Sequence, residues 1–215
     1  MKQKVAAKHR KRTPQTGWLE RDARAGLRAA GRSLARLERH ATRAVAAAAE
    51  VVVTSLESGG TVYSCGNGGS AADAQHLAAE LSGRYLMERP ALAAVSLTTN
   101  SSVLTAIGND FGFERVFARQ IEGLGVAGDV LVAISTSGGS PNVLAAIEVA
   151  HQQGLTVIGM TGLKGGDFAA LCDFALVTPS DSTPRVQEGH IAMGHVLCEL
   201  VERALFPARK KAVRR

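Results

Sequence analysis

The chain has 215 residues, of which 46% are hydrophobic and 20% charged, a composition that predicts one soluble globular domain with a large core. Its apolar runs fall short of the roughly 18 residues that a membrane span needs, and no apolar segment of the kind found in a secretory signal follows the basic first residues. Three widely spaced cysteines argue against a disulfide framework, so we expect a cytoplasmic protein.

The formal net charge is +6, but it is unevenly distributed. Residues 1–15 carry six Lys or Arg and residues 209–215 carry five. The other 14 of the 25 basic residues, and all 19 acidic residues, lie in residues 16–208. We predict a single domain over residues 18–207, a basic disordered tail at 1–17 and a second basic tail at 208–215. No aromatic residues are interleaved with the basic ones, so a nucleic-acid partner is not expected.

Periodicity of apolar residues predicts alternating helices and strands. Hydrophobic spacing indicates one or two helices between Trp18 and about Ser58, ended by Gly59-Gly60. Five strands are predicted at 61–65, 93–97, 130–135, 156–161 and 174–179, with helical stretches at 71–82, 101–107, 114–123 and 141–153 and a last helix from about Val186 to Ala204. This alternation predicts an α/β fold with a five-stranded, parallel, doubly wound sheet that helices cover on both faces.

Small and hydroxyl-bearing residues follow the predicted strands, where ligands of such sheets bind. In "STSGGSPN", Ser135 to Asn142, two glycines allow a tight turn, Ser140 is a natural N-cap and Pro141 suits the first helical position. A helix N-terminus surrounded by hydroxyl groups favours a phosphate, although an ordinary Gly/Ser turn would look similar. The Gly-Lys-Ser/Thr ending of a Walker A loop is missing, which weakens the case for ATP-type chemistry.

The stretch "GNGGSA", Gly66 to Ala71, formally matches the dinucleotide fingerprint G-x-G-x-x-A. That fingerprint also requires an acidic residue at the end of the second strand, where this chain reads "SLTTN". A nicotinamide or flavin cofactor is therefore not expected.

Several side chains suited to metal binding or proton transfer lie on two predicted helices. His76 and Glu80 are four residues apart and share a helix face. The last helix adds Gln187, His190 and His195, of which we interpret His190 as a core histidine satisfied by a backbone carbonyl. Gln187 and His195 would lie about 12 Å apart along an unbroken helix. Either their side chains lean together, or the helix begins after Gln187, or the two face different sites in an oligomer.

Four long stretches resemble the sugar isomerase (SIS) domain family and, within it, the D-sedoheptulose 7-phosphate isomerases. They are "CGNGGSAADAQHLAAELSGRY", "AIGNDFGFERVFARQIE", "GDVLVAISTSGGSPNV" and "RVQEGHIAMGHVLCELVE", and the likeness extends over roughly residues 20–206. The resemblance implies a three-layer α/β/α sandwich, a zinc ion, and a homotetramer whose active sites are shared between subunits. The implied reaction converts sedoheptulose 7-phosphate to D-glycero-D-manno-heptose 7-phosphate through a zinc-assisted enediolate.

The resemblance also implies particular site residues. Glu80 and His195 would be catalytic, with Glu80 as the base that moves a proton from C1 to C2. The implied zinc ligands are His76, Glu80, Gln187 and His195. The implied substrate contacts are Asn67, Gly68, Gly69, Ser70, Glu80, Thr99, Asn100, Ser135, Thr136, Ser137, Ser140 and Gln187.

One position departs from the family pattern, and one relative offers an alternative function. Asn100 stands where these isomerases often have Asp, so it can bond a sugar hydroxyl but cannot act as a base. A similar, non-catalytic SIS tetramer binds the bacterial replication initiator protein, and a sugar-phosphate sensor is a further alternative. That regulator lacks the equivalents of Glu80 and His195, whereas this chain has both, which favours catalysis.

Overall fold

The computed structural model describes residues 16–207. Both predicted tails lie mainly outside the described residues. The elements in chain order are α1 Gly17–Glu57, β1 Val62–Gly66, α2 Gly69–Ser82, β2 Ala94–Ser96, α3 Ser101–Phe111, a 3₁₀ turn Phe113–Arg115, α4 Ala118–Leu124, β3 Val130–Ile134, α5 Pro141–Gln152, β4 Thr156–Gly162, α6 Gly166–Ala170, β5 Phe174–Thr178 and α7 Thr183–Leu205.

The first predicted helical region forms one continuous helix of 41 residues, α1. Its buried side chains, among them Leu37, Ala41 and Val45, recur every three or four residues and therefore lie on one face. The helix ends at Glu57 with Ser58 as its C-cap, and the next residue, Gly59, has a φ of +84°, a conformation that glycine adopts at little cost. This confirms the predicted end of the helical region.

Five parallel strands form one sheet in the order β2-β1-β3-β4-β5. All five residues of β1 and all five of β3 are buried, as expected for central strands covered on both faces. The order of the strands reverses between β1 and β3, so the crevice beyond their carboxyl ends is the position where doubly wound sheets bind ligands.

Helices cover both faces of the sheet and form two separate hydrophobic cores. On one face, buried residues of α1, α2 and α7 pack against the sheet, including Leu77 and Met193. On the other face α4, α5 and α6 contribute, with Ile121, Val143 and Phe168. The predicted α/β fold with a doubly wound sheet is confirmed, and so are the three layers that the resemblance implied.

Three local differences from the predictions have physical causes. The strand predicted at 93–97 is only Ala94–Ser96, because β2 is an edge strand with one neighbour. The helix predicted at 114–123 is divided into a 3₁₀ turn and α4, directly after Gly112 with its φ of +86°. Helix α6 was missed because Gly165 and Gly166 read as a loop, yet it buries Phe168.

Within residues 16–207, no helix is both long enough and apolar enough to cross a bilayer.

Candidate active site

The loops after β1 and β3 lie side by side at the carboxyl edge of the sheet, because Gly66 pairs with Ile134 in the parallel register. Asn67 and Asn142 join them through two reciprocal amide hydrogen bonds of 2.8 and 2.9 Å. Asn142 is only 2% exposed, so this pair of hydrogen bonds fixes the spacing of the two loops. The sequence pattern did not reveal Asn142, since nothing marks an Asn in the first turn of a helix as a partner for another loop.

The loop after β3 provides donors for an anion. The hydroxyl groups of Ser135 and Ser140 lie 3.1 Å apart. Ser140 occupies the N-cap position of α5, but its side chain makes no capping bond to the described part of the chain. Within the described residues, the backbone amides of Thr136 and Ser137 donate to no other protein group. Gly138 has a φ of +74°, which confirms the expected tight turn. Such free amides and hydroxyls beside a helix N-terminus are suited to a phosphate.

The loop after β1 leads directly into α2. Gly68 has a φ of +57° and Ser70 is buried. A Cβ atom placed on Gly69 would overlap with the side-chain amide of Gln187 on α7. The absence of a side chain at Gly69 therefore lets Gln187 approach this loop.

Thr99 and Asn100 follow β2 and are exposed. The Thr99 hydroxyl donates to the carbonyl oxygen of Ser96 at 3.1 Å. The Asn100 side chain caps α3 by accepting the backbone N–H of Val103 at 3.1 Å. Its amide N–H group can still donate to a ligand, in keeping with a substrate contact that is not a base.

His76, Glu80 and His195 come together where α2 and α7 pack. The Nε2 atom of His76 lies 3.0 Å from Oε1 of Glu80 and 3.2 Å from Nε2 of His195. One potential ligand atom from each residue lies within 4.8 Å of the other two. All three residues belong to one chain, so this part of the site does not require a neighbouring subunit.

These separations fit a metal ion. Zinc bonds of about 2.0–2.1 Å in tetrahedral geometry place neighbouring ligand atoms about 3.3 Å apart. The two contacts made by His76 are within a few tenths of an ångström of that value. Two imidazoles and one carboxylate are also the donor types that zinc prefers.

Gln187 lies on the same unbroken helix as His195, because α7 begins at Thr183. The possibility that the helix begins after Gln187 is therefore wrong. Gln187 lines a cleft between α2 and α7 together with Asp73 and His76. His76 is the member of the cluster that shares this cleft with Gln187, whereas Glu80 and His195 line the neighbouring cavity.

His190 lies deeper between the sheet and α7 and is 1% exposed. We expected a backbone carbonyl to satisfy its ring; the backbone of Thr161 is close enough to influence its pKa, but neither nitrogen makes a hydrogen bond of normal geometry within residues 16–207. Burial lowers the pKa of His190 to about 4, with only partial opposition from the backbone of Thr161. The ring is therefore neutral near pH 7, and it lines a small cavity behind His76, Glu80 and His195.

Asp73 is a carboxylate near the cluster that the sequence analysis did not select. One of its oxygens, Oδ2, is buried and has no hydrogen-bond partner among the residues that the structure describes. Burial raises the pKa of Asp73, and the nearby His76 opposes that rise. Its position three residues before His76, on the same helix face, was the signal that could have identified it.

Comparison with known proteins agrees with this architecture. The SIS domain model matches residues 27–162, so the chain belongs to the SIS-domain family. The matched part contains both phosphate-type loops and the His76–Glu80 pair, while the helix carrying Gln187 and His195 lies beyond it.

Similarity to individual proteins identifies the branch of that family. The chain is 60% identical over 162 residues to the phosphoheptose isomerase of Rhodospirillum rubrum, an alignment that covers 75% of this chain and 86% of the relative. The structure of a phosphoheptose isomerase from Neisseria gonorrhoeae is similar, with a TM-score of 0.81, 44% identity and coverage of 86% and 98% of the two chains. One from Francisella tularensis has a TM-score of 0.82, 37% identity and coverage of 85% and 97%. Within the SIS-domain proteins, the chain belongs to the phosphoheptose isomerases, a family of sugar-phosphate isomerases.

Proposed function

We propose that this enzyme converts sedoheptulose 7-phosphate to D-glycero-D-manno-heptose 7-phosphate, a step of heptose biosynthesis. Membership of the phosphoheptose isomerase family supports the reaction class. The observation that carries the proposal is the convergence of His76, Glu80 and His195 on α2 and α7, beside the loops suited to a phosphate.

The phosphate end of the sugar binds at the carboxyl edge of the sheet. The proposed contacts there are Asn67, Gly68, Gly69, Ser70, Thr99, Asn100, Ser135, Thr136, Ser137 and Ser140. The free amides of Thr136 and Ser137 support this assignment, because they can donate to phosphate oxygens at the N-terminus of α5. Anchoring a remote phosphate orients the reacting carbons, so binding energy at one end accelerates chemistry at the other.

The reaction moves one proton between two neighbouring carbons and the carbonyl group from C2 to C1. We assign Glu80 to remove the proton from C1 and return it to C2, and His195 to exchange the protons of the two oxygens. Without metal, His76 orients Glu80 through the 3.0 Å contact between Nε2 and Oε1. Gln187 contacts the substrate or completes the metal site from the cleft that it shares with His76.

His76, Glu80, Gln187 and His195 are the proposed ligands of a zinc ion. When bound, zinc would act as a Lewis acid that polarises the carbonyl oxygen and stabilises the enediolate. A carboxylate that binds zinc is a weaker base than a free one. Glu80 therefore either leaves the metal during turnover or shares the role of base with another group of the cleft.

The alternative is a non-catalytic SIS protein that binds a replication initiator or senses a sugar phosphate. The presence of both Glu80 and His195 supports catalysis, because a binding module has no need for a carboxylate and two imidazoles in contact. A regulator would convert no substrate and would bind the initiator protein, so the two functions are separable by experiment.

We further propose a cytoplasmic homotetramer in which neighbouring subunits complete the active site. Exposed apolar side chains on the first turns of α1, namely Trp18, Leu19 and Leu27, support association with further copies. The free thiols of Cys65, Cys172 and Cys198 are compatible with a reducing compartment.

A substrate-conversion assay tests the proposed reaction. Purified protein with added zinc is incubated with sedoheptulose 7-phosphate, and heptose 7-phosphate is followed by NMR. We expect conversion to equilibrium in both directions. If substrate is recovered unchanged while the protein is folded and loaded with zinc, the proposal is wrong. Binding of the sugar phosphate without conversion would indicate the sensor.

A further inference from the structure

A buried ion pair lies behind the proposed site. Nε of Arg89 is 2.9 Å from Oε1 of Glu202, and the two side chains are 1% and 2% exposed. Arg89 belongs to the segment between α2 and β2, and Glu202 belongs to the last turns of α7. The ion pair therefore links the carboxyl end of α2 to α7, the two helices that carry the proposed site.

Glu202 holds the segment that follows α2. Its carboxylate accepts the backbone N–H groups of Tyr85 and Leu86 at 2.8 Å each and of Met87 at 3.1 Å. Burial acts to raise the pKa of Glu202, but these bonds from Leu86 and Tyr85, together with Arg89, outweigh it and hold the pKa below its usual range. The carboxylate therefore stays ionised and fully bonded.

Arg89 binds the carboxyl end of α2. Its guanidinium donates to the carbonyl oxygens of Glu80 and Leu81 at 2.7 Å each, and to that of Pro90 at 3.0 Å. Carbonyls in the last turn of a helix have no partner within the helix, and a cation there also interacts well with the helix dipole. One of the carbonyls fixed in this way belongs to Glu80, the proposed base.

The same segment touches the other half of the site. The ring of Tyr85 stacks on the ring of His195, with centroids 5.6 Å apart and an angle of 29° between the planes. Glu202 lies about two turns beyond His195 on α7, or roughly 10 Å. Because Glu202 accepts the N–H of Tyr85, it fixes the residue that supports His195.

Stability alone gives no reason for such a pair. Removing two charges from water costs several kcal/mol per ion, and well-packed apolar residues often replace a buried ion pair without loss of stability. The pair makes seven hydrogen bonds to backbone atoms, the seventh from Arg89 to the carbonyl oxygen of Gly83 at 3.3 Å, and these provide something that apolar packing does not, namely a defined position.

We propose that Arg89 and Glu202 are positioning residues that hold Glu80 and His195 at the separation which metal binding and proton transfer require, with Tyr85 as the contact to His195. The assignment of Glu80 and His195 to the reacting site rests on the proposed function. The positional role itself concerns the geometry of the two helices and is measurable without substrate.

The test compares Glu202→Gln with Glu199→Gln in the full-length protein. Glu199 is on the same helix and forms an exposed pair with Arg203 at 3.5 Å, so this control makes the same change of charge near the same site. Three readouts are taken: Co²⁺ affinity from the visible absorption of the bound ion, kcat and KM, and the His195 Cε1–H resonance in metal-free protein. The unfolding midpoint is measured alongside.

We expect Glu202→Gln to weaken Co²⁺ affinity and to lower kcat by about 10- to 100-fold, the range seen when outer partners of metal ligands are removed. KM should change little, because the phosphate loops lie at the N-terminal ends of α2 and α5, whereas Arg89 binds the carboxyl end of α2. The His195 resonance should shift, since the ring of Tyr85 moves. Glu199→Gln should match the wild type in Co²⁺ affinity, in the kinetic constants and in the His195 resonance. A lower unfolding midpoint with unchanged Co²⁺ affinity, kcat and His195 resonance would overturn the proposal, because the pair would then be structural only.

A second variant keeps the inference testable if Glu202→Gln does not fold. Tyr85→Leu leaves the ion pair intact and removes only the stacked ring, so it should shift the His195 resonance and weaken Co²⁺ affinity. Wild-type values in this variant would likewise overturn the proposal. If the wild type converts no sedoheptulose 7-phosphate, the proposed function fails, while Co²⁺ affinity and the His195 resonance still decide the positional role.

Discussion

The Nε2 atoms of His76 and His195 lie 3.2 Å apart, with their rings in an edge contact at a centroid distance of 5.0 Å. Two imidazole nitrogens can remain this close when one donates a hydrogen bond to the other or when both bind a cation. Two protonated rings would repel each other. The carboxylate of Glu80, 3.0 Å from His76, adds the negative charge that favours a cation at this point.

Removal of metal should abolish isomerisation and lower thermal stability. A bound ion stabilises the folded state by mass action, and without it the cluster loses the charge that holds its three residues together. Treatment with a chelator followed by dialysis should yield an inactive protein with a lower Tm, and stoichiometric Zn²⁺ should restore both. Activity that survives chelation, with no metal detected by elemental analysis, would remove zinc from the proposal.

Glu80→Gln should leave the fold and the oligomeric state unchanged and lower kcat by about 10²- to 10⁴-fold, the usual contribution of a positioned acid or base. The amide keeps the shape of the side chain but cannot accept the C1 proton. Steady-state kinetics and size-exclusion chromatography provide the measurement. Glu88→Gln is the matched control, because Glu88 is 94% exposed. Equal activity in the two variants would show that Glu80 is not the base.

Gly69→Ala should lower kcat/KM by about tenfold, because the new methyl group would displace the amide of Gln187. The control is Gly166→Ala at the start of α6, where an added Cβ meets no atom of residues 16–207 within 4 Å. Both variants replace a glycine that has no positive φ, so backbone strain does not separate them. Wild-type kinetics in Gly69→Ala would contradict a role of Gln187 that depends on its close approach to Gly69.

His190 should make the metal-free protein less stable as the pH falls from about 6.5 to about 4. The folded state keeps the ring neutral down to a pKa of about 4, whereas the unfolded chain protonates it near 6.5. Between these values the unfolded state binds the extra proton, so this group lowers the free energy of unfolding by up to about 1.4 kcal/mol per pH unit.

Urea unfolding of the wild type and His190→Leu at several pH values measures this contribution. We expect the leucine variant to lose less stability on acidification over that interval. If the free energy of unfolding depends on pH in the same way in both proteins, His190 takes up its proton as readily in the folded state as in the unfolded chain, and the prediction is wrong. His40, exposed on α1, provides the control substitution His40→Leu.

Much of the fold could be predicted because its determinants are local. Alternating helices and apolar strands identified the parallel doubly wound sheet, and "GNGGS" and "STSGGSPN" marked the loops at its carboxyl edge. The four-residue spacing of His76 and Glu80 was sufficient to place them on one helix face. Element boundaries were less accurate, as at β2 and α6, since tertiary packing decides where a short element ends.

Only the tertiary structure could bring the two halves of the site together. His76 and His195 are 119 residues apart, and no local pattern encodes a distance between α2 and α7. The same holds for Asn67 with Asn142 and for Arg89 with Glu202, which are long-range hydrogen-bonded pairs. The order of amino acids specifies which chemical groups are present and which short elements carry them. The packing of helices on the sheet decided which of these groups meet, because side-chain contact depends on the three-dimensional path of the chain and not on spacing along it.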